Sequence, residues 1–96
     1  PSQKERMAFA ALKIKVMPSS PESNLEKIRE EAEKRIVSLE AKLHSYEEQE
    51  IAFGLKALIL TIAWPEEKSQ EEIEQALSSI NDVQSVDVID FRRAIG

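Results

Sequence analysis

Ninety-six residues with 42% hydrophobic and 32% charged side chains can build one packed core, and that balance excludes both a disordered chain and a membrane protein. Thirteen Lys and Arg against eighteen Asp and Glu leave a net charge of −5, which repels phosphate backbones and argues against direct nucleic-acid binding. With no Cys and a single His, His44, the chain lacks the groups for disulfides, thiol catalysis, thiolate zinc or multi-histidine metal sites, and no cofactor is expected.

A flexible extension over residues 1–6 is expected to precede a single domain over residues 7–96. In residues 8–17, Leu12, Ile14 and Val16 alternate with Lys13 and Lys15, the two-residue period of a strand with one buried face. Pro18, Ser19, Ser20 and Pro21 stop it, because proline donates no ladder hydrogen bond and restricts the residue before it. Ser23 and Asn24 are both good helix caps, and Glu26 stands at capping-box distance from Ser23. Leu25, Ile28, Ala32, Ile36, Leu39 and Leu43 then form one stripe, with Glu30/Lys34 and Glu31/Arg35 as supporting pairs.

Residues 44–50 lose that stripe and predict a short polar edge strand. Phe53-Gly54 marks a bend, and residues 55–64 read as a central strand, with Leu58, Leu60, Ile62 and Trp64 facing the helices. On the other parity, Ala57 and Ile59 give the outer sheet face an apolar tendency, with Ile59 expected to be exposed. At eight residues, 57–64 is also the longest apolar stretch, far short of the ~20 a bilayer span needs, so a soluble cytoplasmic protein is expected. Ser69 caps a second helix carrying Ile73, Ala76, Leu77 and Ile80, ended by Asn81 and Asp82. Residues 83–91 alternate as a last strand before a basic tail, Arg92 and Arg93.

The order β-α-β-β-α-β with right-handed crossovers predicts an α+β, ferredoxin-like sandwich: a four-stranded antiparallel sheet with two helices on one face. Strands one and three are expected to be central and to run parallel. That fold hosts many activities, so function rests on its residues. Two glycines, Gly54 and Gly96, cannot make a phosphate-cradling loop. The paired carboxylates read as solvated faces. His44 sits where an imidazole could serve the first helix's C-terminus, and the chain is not expected to be an enzyme. Phe9 and Trp64 alone do not make an RNA-stacking platform.

Several segments together resemble the archaeal elongation factor 1-beta family. They are Ile14-Lys15-Val16-Met17-Pro18, Asn24-Leu25, the block Ile51-Ala52-Phe53-Gly54-Leu55-Lys56-Ala57-Leu58, and Val83-Gln84-Ser85-Val86-Asp87-Val88 with Arg92-Arg93. The resemblance implies a guanine-nucleotide exchange factor acting on the translational GTPase elongation factor 1-alpha, as a monomer or weak homo-oligomer, with no covalent chemistry. It implies GTPase contacts at Phe53, Gly54 and Lys56, and a basic residue, Arg93 with Arg92 beside it, that reaches the magnesium region. Where eukaryotic relatives carry lysine and one last residue, Arg93 is followed by Ala94, Ile95 and Gly96. The alternative is a ferredoxin-like regulatory or dimerisation module that pairs sheets through Ala57 and Ile59.

Overall fold

The computed structural model describes residues 8–93. The expected extension over residues 1–6, and residues 94–96 beyond Arg93, lie outside that range. Six elements follow in the predicted order: β1 (Phe9–Pro18), α1 (Leu25–Ser38), β2 (Lys42–Ala52), β3 (Leu55–Pro65), α2 (Gln70–Ser78) and β4 (Val83–Arg93). The sheet runs β2-β3-β1-β4, a ferredoxin-like α+β fold. β1 and β3 are central, but they pair antiparallel rather than parallel. The reason is topological. Each helical crossover skips one strand position, so β1 is parallel to β2 and the strand inserted between them opposes both.

Strand β1 buries Leu12, Ile14 and Val16 completely while Lys13 and Lys15 take the other face. In the loop that follows, Ser23 Oγ accepts the Ser20 amide and Ser20 Oγ accepts that of Glu22, both at 3.2 Å. Of the two candidate caps Asn24 is used, its Oδ1 accepting the Lys27 amide at 3.2 Å. Glu26 turns to Arg29 at 3.1 Å instead of closing a box on Ser23. Glu31 pairs with Lys34 at 3.4 Å and with Arg35 at 3.9 Å.

Helix α1 ends earlier than the stripe predicts. Leu39 is its C-cap, Glu40 turns with φ +66°, and Leu43 belongs to β2. Both leucines still pack against the core, and apolar residues reaching one core from a helix end and a strand mimic the helical spacing. His44 therefore lies within β2, exposed, at a register break between Leu43 and Ser45. The cation that bonds the C-cap carbonyl of α1 is Lys68, whose Nζ donates to the Leu39 carbonyl at 2.6 Å and lies 3.6 Å from Glu40.

The core joins β1 and β3 to both helices through Leu58, Leu60, Ile62, Trp64, Ile28, Ile36, Ile73 and Leu77 among others. Arg35 ties the helices together, donating from Nη1 to the Ala76 carbonyl at 2.9 Å and to Ser79 Oγ. On the outer face Ile59 is 3% exposed, not open to solvent as expected. Register sets it between Lys15 of β1 and Glu47 of β2, with Lys13, Gln49 and Ile89 nearby. Long polar side chains cover apolar surface with their stems, which leaves little of Ile59 for pairing with a second sheet.

Candidate partner-binding site

Hairpin β2–β3 turns through Phe53 and Gly54, between the paired residues Ala52 and Leu55. Both central residues have positive φ, 53° for Phe53 and 76° for Gly54, the signature of the type I′ turn that matches strand twist. Glycine adopts this backbone freely, whereas asparagine or glycine would be expected where Phe53 stands. Phe53 is nonetheless 98% exposed. Beside it Lys56 pairs by register with Glu50, and its Nζ lies 3.9 Å from Glu48. Between this hairpin and the start of α1 runs a groove of about 470 Å³, lined by Pro21, Ser23, Asn24, Glu48, Gly54 and Lys56 among others.

The two arginines do not join that group. They form the end of β4 rather than a tail, Arg92 opposite Ala11 and Arg93 opposite Ala10 of β1. Ala10 is opposite Trp64, ten residues along β3 from Gly54, so about 33 Å separates the two ends. Neighbouring strand residues project to opposite faces. Arg93 therefore shares the helix-side face with buried Ala10, and Arg92 takes the outer face, 80% exposed and 3.1 Å from Asp90 through Nε.

Other residues carry no partner role in the sequence reading. Phe9 and Phe91 remain exposed near the arginine end, where no motif singles them out. Trp64 Nε1 donates to the Lys68 carbonyl at 3.2 Å while the Lys68 ammonium lies 5.9 Å from its ring, closing that end with a knot between two loops. Arg29 lies 4.8 Å from the centre of the Tyr46 ring and fastens α1 to β2. Its guanidinium is held above its usual pKa by the hydrogen bond to Glu26, with Tyr46 and Glu33 adding to the effect and desolvation opposing it. These are packing signals, visible only once the helix and strand are laid together.

Among the described residues no group of three or more His, Cys, Asp or Glu is placed to hold a metal ion, and no helix is long and apolar enough to cross a membrane. The ferredoxin-like sandwich thus carries an exposed aromatic turn at one end and an arginine-bearing strand end at the other. Comparison with known proteins gives the family. The family model described as EF-1 guanine nucleotide exchange domain matches residues 11–94. The chain is 41% identical over 81 residues to elongation factor 1-beta of Methanothermobacter thermautotrophicus, covering 83% of this chain and 90% of that protein. It is 40% identical over 89 residues to the Methanosarcina acetivorans protein of the same name, covering 91% and 99%. The Methanocaldococcus jannaschii elongation factor 1-beta is 36% identical over 89 residues, covering 92% of this chain and 100% of the relative. The chain belongs to the EF-1 guanine nucleotide exchange family, and guanine-nucleotide exchange in translation elongation is its function.

Proposed function

We propose that this protein promotes GDP release from elongation factor 1-alpha in the cytoplasm by holding the GTPase at two places about 33 Å apart. Phe53, with Gly54 and Lys56, grips the GTPase's second domain, and Arg93, with Arg92 beside it, reaches the magnesium region of the nucleotide site. The observation that carries this reading is Phe53 itself. A left-handed backbone costs a non-glycine residue about 1–2 kcal/mol, and leaving a phenylalanine ring in water forgoes about 2 kcal/mol of burial. Phe53 bears both, at φ 53° and 98% exposure, and a partner that takes up the ring accounts for both.

At the other end, magnesium bridges the nucleotide phosphates to a GTPase, and a cation brought beside it competes for that position. The guanidinium is planar and wider than an ammonium, so Arg93 acts by engaging a carboxylate next to the ion instead of replacing the ion directly. Either contact weakens nucleotide binding without making or breaking a covalent bond. A thousandfold faster release corresponds to ~4 kcal/mol, within reach of a few desolvated charged and aromatic contacts. Linkage then requires nucleotide to weaken binding of the exchange factor by the same equilibrium factor.

Stopped-flow release of a fluorescent GDP analogue from loaded archaeal elongation factor 1-alpha, across magnesium concentrations, tests the proposal. Acceleration by the wild-type protein that fades in the Arg92→Ala/Arg93→Ala double variant is the expected result. A demonstrably loaded GTPase that shows no acceleration would overturn it.

A further inference from the structure

Strand β4 changes parity near its end. Val88 stands opposite Ile14 and Asp90 opposite Lys13, so Ile89 has no partner on β1. This extra residue is a β-bulge, which re-aims the side chains that follow it. In an unbroken ladder Asp90 would stand opposite Leu12 on the helix-side face, and Phe91 and Arg93 would point the other way. The bulge reverses this. Phe91 now stands opposite fully buried Leu12 and Arg93 opposite buried Ala10, so both occupy the helix-side face. Asp90 and Arg92 share the outer face, where their 3.1 Å ion pair forms, and Asp90 Oδ1 also accepts the Phe91 amide at 3.0 Å.

Along that helix-side row Val83, Val86 and Val88 pack against the core, but Phe91 stays 37% exposed. The cover runs short. Nine residues of α2 extend about 13 Å, against about 35 Å for the eleven residues of β4. The strand therefore ends in a partly uncovered aromatic ring and, two residues or about 7 Å further on, a cation on the same face.

We infer that Phe91 is a GTPase-contact residue: an apolar anchor, set on the helix-side face by the Ile89 bulge, that seats in an apolar recess of the GTPase beside the site reached by Arg93. The inference rests on the exchange function proposed above and adds a residue to its machinery. An aromatic anchor next to a charged group excludes water from the contact, and a desolvated charge interacts more strongly than one left in water. Continuity with the arginine contact argues for the GTPase as the occupant rather than a second copy of this chain.

The test uses the same release assay, titrating the exchange factor to obtain a half-saturating concentration and a maximal rate. Phe91→Ser should raise the half-saturating concentration by tenfold or more, and Phe91→Met should restore it to within about threefold of wild type. Val37→Ser is the control, since Val37 is 60% exposed in the last turn of α1 and shares with Arg29 and Glu33 the side toward β2, at the opposite edge of the sheet from β4, and its exchange should match wild type. Urea unfolding of each variant separates contact from stability. If Phe91 merely shields Leu12, Phe91→Ser lowers stability while the folded protein keeps its wild-type half-saturating concentration, and the inference is overturned. Equal loss in Val37→Ser would overturn it too, by showing that any exposed apolar residue matters. A wild-type protein that fails to accelerate release overturns the exchange proposal itself, a result visible before any variant is compared.

Discussion

The two ends of the sheet present their proposed contact residues by opposite means. At the hairpin end the backbone is closed on itself: a two-residue turn with both φ values positive holds Phe53 outward, with Ala52 and Leu55 paired across it and a register break at Ile51 just behind. At the arginine end an edge strand finishes beyond the reach of a short helix, and a bulge decides which face each side chain occupies. The hairpin stores strain in a local turn. The strand end stores no comparable strain and depends instead on register. A rigid, solvent-exposed aromatic suits affinity, whereas a cation whose direction is set by register suits action at one place in the partner.

That contrast predicts different kinetic consequences for Phe53 and Arg93. The largest effect is expected from inserting one threonine between Asp90 and Phe91, which shifts the pairing that follows by one residue and swaps the faces of both Phe91 and Arg93. Maximal exchange should fall by about a hundredfold or more, the scale of losing a buried charged contact, while circular dichroism shows the strand retained. Arg93→Ala should also lower the maximal rate by about a hundredfold, with the half-saturating concentration changed far less. Phe53→Ala should do the reverse, raising the half-saturating concentration by about thirtyfold or more and sparing the maximal rate. If both substitutions move the same parameter, the division between affinity and action is broken.

Phe53→Asn sharpens the same contrast. Asparagine tolerates the left-handed region that phenylalanine does not, so the variant should gain about 0.5–1.5 kcal/mol in urea unfolding while losing partner affinity as Phe53→Ala does. A protein that becomes more stable as it becomes less active would identify the turn's strain as a cost of its contact residue.

How much of this was legible follows from what each feature depends on. The six elements, the ferredoxin-like arrangement and the bend at Phe53-Gly54 are short-range properties, written as alternation, helical stripe and turn residues. The early end of α1 was hidden because Leu39 and Leu43 reach the core at a helical spacing from a cap and a strand. Ile59 read as exposed because its cover comes from neighbouring strands, whose register the alternation of one strand does not contain. The Ile89 bulge was hidden for the same reason, and with it the location of Arg92 and Arg93 on opposite faces of a strand instead of in a tail. The resemblance pointed to those residues without showing how they are held.

Lys68 offers a smaller test, confined to the arginine end. Its ammonium caps the Leu39 carbonyl at 2.6 Å and lies over Trp64, which donates back to the Lys68 carbonyl. Lys68→Met keeps the aliphatic stem but removes the charge and its hydrogen bond, and should cost about 1–2 kcal/mol in urea unfolding. Because Trp64 is the only tryptophan, its fluorescence reports the loosening directly. A variant as stable as wild type would mean that packing, rather than the lysine, closes this end.

The smallest effect is expected from Arg92→Ala, and it tests the comparison within a single strand end. Arg92 and Arg93 are adjacent and alike in charge, so any mechanism that depends on net positive charge near the nucleotide site treats them alike. Geometry separates them: Arg92 is on the outer face, already paired with Asp90 and 80% exposed, whereas Arg93 shares the helix-side face with Phe91. An exposed ion pair contributes little to stability, so unfolding should be nearly unchanged. The remaining effect is long-range attraction, which salt screens over about 8–10 Å, and the loss of exchange should therefore be at most about threefold and vanish as ionic strength rises. The loss in Arg93→Ala should persist in salt, because a desolvated contact is screened much less. Equal losses with equal salt dependence would show that charge alone acts at this end and that the face on which each arginine stands is immaterial.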